Sequence, residues 1–323
     1  MKIIDLDERE VDNPSSDMSI ALGNFDGLHI GHRALIHRSV SEARRIGGLS
    51  GVLLFKNHTS DYVSRERGHL LMRLDDKIRL LEELHIDVVF LITFDAAFMS
   101  IPKGRFVSHF LVETLHAKNV IVGEDYRFGF HASGDVPFLQ EQGKHFDFSV
   151  CAVPDVTYGG ERISSTRIRQ CLLSGALPAA NEMLGASYAM RGRIVSGAGR
   201  GRHLGFSTAN LALDFPYCIP KNGVYLTRSC LGRERRGPYY GMTNIGTNPT
   251  FTDSPDIKIE THLFDFSENL YKQEIRIEFL RYERGDIKFH DRAELIARLR
   301  EDERVLRGWI EEMRPDPNTA TKR

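Results

Sequence analysis

The strongest constraint in this 323-residue sequence is a change of hydrophobic period near Gly185. Upstream, short apolar runs at Ser19–Leu22, Gly51–Phe55, Asp87–Ile92, Asn119–Val122 and Phe148–Val153 alternate with helix-spaced apolar positions. These are Ile36, Val40, Ala43 and Ile46, then Ile78, Leu81 and Leu84, then Phe106, Phe110 and Leu115. Such alternation predicts an α/β domain, a parallel sheet with helices on its faces. Downstream, Tyr188–Val195, Gly223–Cys230, Tyr239–Ile245, Ile257–Phe264 and Glu274–Leu280 read as strands separated by turns, and helical patterning returns only at Asp291–Glu312. A run of strands closed by one helix predicts a small antiparallel β-barrel with a C-terminal helix. Two domains are therefore expected, residues 1–185 and 186–312, with Leu177–Ser187 as the linker and residues 313–323 as a disordered tail.

Charge narrows the partners. Lys plus Arg number 43 against 44 Asp plus Glu, a net charge of −1, which excludes a broad electrostatic grip on nucleic acid or anionic membrane. Any anion must be held locally, and small-molecule substrates are the expected partners. The acid-rich N-terminus carries no secretory apolar segment, and no apolar run approaches a bilayer span, so a cytoplasmic chain is expected. The four cysteines form no C-x-x-C pair, which supports neither a disulfide framework nor a zinc knuckle. Oligomeric state is not legible.

Chemistry concentrates first in the loop after the first internal strand, Gly23-Asn24-Phe25-Asp26-Gly27-Leu28-His29-Ile30-Gly31-His32. Glycines let backbone approach a ligand, the following helix N-terminus offers free N–H groups, and two imidazoles can donate to phosphate oxygens. This is neither a Walker A loop nor a G-x-G-x-x-G fingerprint. Ile163-Ser164-Ser165-Thr166-Arg167-Ile168-Arg169 supplies hydroxyls and arginines able to close over triphosphate, the bland reading being a helix start capped by Ser164. Between them, Gly123-Glu124-Asp125-Tyr126-Arg127-Phe128-Gly129 offers acid, aromatic and glycine for a flat heterocycle.

A second constellation runs from Gly192 to Asn210. Gly197, Gly199, Gly201 and Gly205, interleaved with Arg200 and Arg202, suit a loop lying over phosphates, and Thr208 and Asn210 can aim two oxygens at one Mg²⁺ from an extended segment. Polar residues on the outside of a strand are the ordinary alternative.

His29-Ile30-Gly31-His32 resembles the signature of the nucleotidyltransferase superfamily, which implies a Rossmann-like domain of H-x-G-H type whose histidines stabilise an attacked α-phosphate. The three N-terminal motifs in this order resemble those of the bacterial bifunctional riboflavin kinase/FAD synthetases. That family also has Phe-x-x-His-Pro after its second strand; here Phe55-Lys56-Asn57-His58-Thr59 keeps the histidine and lacks the proline. Its flavokinase half has G-R-x-L-G-F-P-T-A-N where this chain has Gly201-Arg202-His203-Leu204-Gly205-Phe206-Ser207-Thr208-Ala209-Asn210, with serine for proline. Asn244 to Phe251 resembles N-I-G-x-x-P-T-F, Glu260 to Phe266 resembles E-x-H-x-x-D-F, and Arg284 to Phe289 resembles R-x-E-x-K-F with Asp286 for glutamate.

The resemblance implies a chain that phosphorylates riboflavin to FMN and adenylylates FMN to FAD, with Mg²⁺, ATP, riboflavin and FMN. It assigns Glu260, His29 and His32 as catalytic. Gly23, Phe25, Asp26, Gly27, Gly31, Ser164, Ser165, Thr166 and Arg169 would bind ATP for adenylyl transfer, and His58, Asp125 and Phe128 the flavin. In the kinase half Gly197, Gly199, Arg202, Gly205, Thr208 and Asn210 would bind ATP, Thr208 and Asn210 also the metal, and Asn248 and Arg284 the flavin. One alternative is a monofunctional riboflavin kinase with a degenerate first domain; another is a non-enzymatic sensor, against which His29, His32, Arg169 and Glu260 together argue.

Overall fold

The structure, a computed structural model, describes residues 1–8, 16–57, 69–196, 206–232, 235–248 and 256–313. The chain divides into two compact units, one of Met1–Ile168 with Met183–Gly185 and one of Arg169–Glu182 with the chain from Ala186 onward.

The first unit is built on a six-stranded sheet in the order β1-β4-β3-β2-β5-β6, with every pairing parallel. The strands are β1 (Lys2–Asp5), β2 (Met18–Ala21), β3 (Leu49–Phe55), β4 (Val88–Ile92), β5 (Ala117–Gly123) and β6 (Ser149–Val153). Five of them coincide with the expected apolar runs to within two residues. Strand β1 was not anticipated: four residues with one buried side chain give too little period to read, and pairing with β4 decides it.

Both faces of the sheet are buried, as parallel sheets require. Ile20, Leu22, Leu53, Phe90, Val120 and Val122 pack on one face with the helices Phe106–Thr114 and Val136–Phe146. Ala21, Val52, Leu54, Val89 and Ile121 pack on the other with Ile30–Ile46 and Leu74–Glu83. Gly51 has no room for a side chain, since a Cβ there would lie 2.5 Å from Ile20 Cδ1. From β2 the chain winds outward through β3 and β4, then returns to place β5 on the other side of β2. That reversal opens a crevice beyond the carboxyl ends of β2 and β5, where ligands of such sheets bind. The two loops it brings together are Leu22–His29 and Glu124–Phe128.

The second unit is a closed antiparallel barrel in the order β10-β13-β12-β11-β14-β9. Its strands are β9 (Tyr188–Val195), β10 (Ala209–Ala212), β11 (Gly223–Leu231), β12 (Arg236–Asn248), β13 (Asp256–Leu263) and β14 (Glu274–Arg284); β7 (Thr157–Tyr158) and β8 (Glu161–Arg162) form a hairpin in the first unit. Inside the barrel Thr243 Oγ1 meets Thr227 and Thr261 Oγ1, each at 2.7 Å, so three fully buried hydroxyls satisfy one another. Their neighbours along each strand face outward. On that outer face Val224, Leu226, Met242 and Phe264 receive Leu306 and Ile310 of the C-terminal helix Arg292–Met313.

The expected linker is instead the helix Leu177–Leu184. Most of the segment before Gly185 belongs with the barrel for a visible reason. Asn181 Nδ2 donates to the Phe279 carbonyl at 3.0 Å, its Oδ1 accepts from Tyr188 N–H at 2.8 Å, and Lys221 N–H donates to the Leu172 carbonyl at 3.0 Å. The expected tail from Arg314 lies outside the described residues.

Candidate active sites

In the first unit the loop after β2 turns through left-handed positions at Phe25 (φ 49°), Gly27 (φ 83°) and Leu28 (φ 44°). The turns bury Phe25 and Leu28 completely, so Phe25 anchors the loop in the core. Gly27 is obligatory by space as well as by φ, because a Cβ would lie 2.9 Å from Leu71 Cδ1. Asp26 is also an anchor: its carboxylate accepts from Leu71 N–H at 3.1 and 3.2 Å, and its carbonyl accepts from Ser165 Oγ at 2.9 Å. This last bond joins motifs 139 residues apart and brings the phosphate loop onto the start of the helix Ser165–Ser174.

His29 caps the helix Ile30–Ile46, its Nδ1 accepting from His32 N–H at 3.3 Å. Nδ1 is therefore the bare nitrogen, and in the neutral ring Nε2 carries the hydrogen. The two imidazoles stack with centroids 3.6 Å apart and planes 15° off parallel. Gly31 makes room for this, since a Cβ there would press within 3.2 Å of the His29 ring. Burial pulls the His29 pKa down to about 4, with the nearby Arg162 charge adding and Asp26 opposing. His32 is also held well below the ordinary imidazole value, by burial first and then by His29, Lys77 and Arg162. Both rings are thus neutral donors at pH 7. Among the described residues His32 Nδ1 is buried without a hydrogen-bond partner.

Two cations that sequence reasoning missed face this pair, Arg162 and the buried Lys77. Arg162 projects from the β7–β8 hairpin, whose turn residues Gly159 and Gly160 have φ of 61° and 82°. Asp125 accepts from Arg162 Nη1 at 2.6 Å and Asp155 lies 3.0 Å from its Nε, so Asp125 serves to aim a guanidinium. The detectable signal was a Gly-Gly turn just before Ile163-Ser164-Ser165, and for Lys77 a lysine on the apolar side of its helix.

Ser164 accepts from Arg167 N–H at 3.2 Å, the capping role named above. Thr166 is exposed, and Arg169 is half-buried in the segment held by the second unit. Gly23 lies just ahead of the Phe25 ring, which a Cβ would approach to 3.3 Å. Phe128 is a core residue: 6% exposed, it packs 5.1 Å from Phe106 and 5.7 Å from Tyr126, with no space left even for a Cβ on Gly134. His58 lies outside the described residues.

In the second unit the barrel register assembles the site. Asn210 stands opposite Glu260, and Glu260 opposite Asn244, in one row across β10, β13 and β12. Opposed Cβ atoms sit about 4.5–5.5 Å apart. Because Thr243 and Thr261 point inward, Asn244 and Glu260 point outward, on the face that also carries the C-terminal helix. Glu260 is half-buried and its carboxylate has no hydrogen-bond or ion-pair partner among the described residues. Thr208 immediately precedes β10 and is half-buried.

Arg284, expected at the flavin, is committed elsewhere. Its Nε donates to Asp302 Oδ1 at 2.9 Å and Oδ2 at 3.1 Å, and Asp302 is wholly buried in the C-terminal helix. Asn248 ends β12 opposite Asp256. Gly197, Gly199, Arg202 and Gly205 lie outside the described residues.

A parallel sheet with an H-x-G-H loop at its switch point, followed by a barrel with an outward carboxylate set between two amides, defines a two-domain, nucleotide-dependent transferase. Comparison with known proteins refines the class. Residues 12–167 match the FAD synthetase family and residues 184–310 the riboflavin kinase family. The bifunctional riboflavin kinase/FMN adenylyltransferase of Listeria monocytogenes is 35% identical over 90% of this chain and 92% of its own length. The protein of the same name from Escherichia coli K12 is 35% identical over 92% and 94%. This chain belongs to the bifunctional riboflavin kinase/FMN adenylyltransferase family. A solved Streptococcus pneumoniae structure described as a macrolide-efflux protein, 30% identical, covers 96% of this chain and 100% of its own with a TM-score of 0.85. Among the described residues here no helix is long and apolar enough to cross a membrane.

Proposed function

We propose that the two sites make FAD from riboflavin in sequence, the barrel acting first. There the ribityl 5′ hydroxyl oxygen attacks the γ-phosphorus of ATP, its proton passes to Glu260, and ADP leaves with FMN as the product. The observation that carries this reading is the Glu260 carboxylate between Asn210 and Asn244, without a partner among the described residues. A base so placed contributes about 10²–10⁴-fold. Thr208 and Asn210 supply two uncharged oxygens, and among the described residues no three His, Cys, Asp or Glu side chains are arranged to hold a metal ion. That donor set fits a Mg²⁺ that brings phosphate oxygens and water as most of its ligands. Bound there, the ion offsets charge on the transferring phosphoryl group.

In the first unit a phosphate oxygen of FMN attacks the α-phosphorus of a second ATP and pyrophosphate leaves. No proton need be removed from an ionised phosphate, so the site needs donors and not a base. His29 and His32, neutral through burial, supply them, and Arg162 and Lys77 supply positive potential. Intact anchoring of Asp26 on Leu71 and Ser165 favours a working adenylyltransferase over a degenerate domain. Both halves consume ATP and small flavins, work that belongs to the cytoplasm.

The test is to incubate the protein with riboflavin, ATP and Mg²⁺ and separate riboflavin, FMN and FAD by chromatography. Both products should form. Glu260→Gln should abolish FMN formation while FMN supplied from outside is still converted to FAD; undiminished FMN formation removes Glu260 as the base.

A further inference from the structure

The Glu260-Thr261-His262 run on β13 places His262 two residues from the proposed base, and strand parity puts both on the outer face. Pairing of β10 with β13 begins at Ala209 opposite Thr261. One residue further the same register would set Thr208 against His262, but the ladder does not extend there. A side chain takes over: His262 Nδ1 donates to the Ser207 carbonyl at 2.9 Å. A carbonyl only accepts, so Nδ1 carries the hydrogen. The ring is held edge-on by Phe206 at 5.3 Å and Phe264 at 5.9 Å. Phe264 in turn lies under the Arg307 guanidinium at 4.7 Å, and Arg307 Nη1 and Nη2 grip the Asp265 carboxylate at 2.9 Å each. A line of contacts thus runs from the C-terminal helix through Phe264 and His262 to the residue before Thr208. Ser207 is exposed and, unlike a proline, does not fix its own φ.

We propose that His262 is a positioning residue of the kinase site: by holding the Ser207 carbonyl it sets the direction in which Thr208 and Asn210 present their oxygens to the cation-bound nucleotide. The inference rests on the kinase reading of β10 and β13 given above. The rival account is packing, in which the ring only fills space between two phenylalanines. Two substitutions in the full chain separate them. His262→Phe keeps a ring and removes the donor, whereas His262→Asn removes the ring and keeps a donor where Nδ1 sits.

Loss of one neutral hydrogen bond corresponds to about three- to tenfold. His262→Phe should therefore raise the Mg·ATP concentration for half-maximal FMN formation by that factor, with kcat changed less. In calorimetric titration with Mg·ADP, one class of sites should weaken by the same factor and the other should not. The melting temperature followed by Trp309 fluorescence should hold, and His262→Asn should recover most of the Mg·ATP affinity. A His262→Phe chain equal to wild type in both assays overturns the proposal, as does failure of asparagine to do better than phenylalanine. If wild type forms no FMN at all, it is the kinase reading that falls.

Discussion

Asn181→Ala tests where the barrel unit begins. The Asn181 amide occupies the rung at the end of the β9–β14 ladder, between Tyr188 N–H and the Phe279 carbonyl. Tyr188 is 2% exposed and Phe279 0%, so water cannot readily replace the lost partner at either group. Leaving a buried donor or acceptor unpaired costs about 1–3 kcal/mol, and two such groups, one partly relieved by local relaxation, give about 2–4 kcal/mol. Trp309, the only tryptophan, sits on the C-terminal helix against the barrel and reports this unit alone. In urea the fluorescence midpoint should fall with an unchanged slope. FMN-to-FAD conversion at low urea should persist. A barrel fragment starting at Arg169 should accordingly be more stable than one starting at Ala186. A midpoint shift below about 0.5 kcal/mol, the ordinary range for a surface substitution, would refute the assignment and return Asn181 to a linker.

Two further outcomes follow from charge and burial. Above pH 6.5 the buried His29 is neutral folded or unfolded; as pH falls from 6.5 toward about 4 the unfolded chain takes up the proton first. The first unit should therefore lose up to about 3 kcal/mol over that interval, with His32 adding in the same direction. Urea unfolding followed by circular dichroism at about pH 7.5 and about pH 5 measures it, and a His29→Gln chain that keeps the full wild-type slope contradicts it. Arg284→Met removes the bidentate partner of the buried Asp302 but leaves it Arg298 Nε at 2.8 Å, and should destabilise the barrel by about 1–3 kcal/mol in the Trp309 assay. The KM for riboflavin per folded molecule should stay put, and a tenfold rise, about 1.4 kcal/mol, would restore Arg284 to the flavin.

The features legible in the sequence were those whose cause is local. Hydrophobic period located five strands of the first unit and five of the barrel, because side-chain alternation along one strand is fixed by its own backbone. The His29-Ile30-Gly31-His32 motif announced a phosphate site, since cap, glycine and imidazoles lie within one turn. Strand β1 and the helix Leu177–Leu184 escaped because one is too short to show a period and the other sits where composition resembles a linker.

Tertiary structure alone decided which identical-looking groups are free to react. Phe128 and Arg284 belong to the family motifs, yet one ring fills the core and one guanidinium neutralises a buried aspartate. Glu260 is an ordinary strand carboxylate until the register sets it between Asn210 and Asn244, with no ion-pair partner among the described residues. Arg162 gains meaning only when Asp125 and Asp155 turn it toward two histidines more than a hundred residues away. A residue's type is written in the chain, but its solvation and its neighbours come from non-local pairing, and those set whether it packs, pairs or reacts.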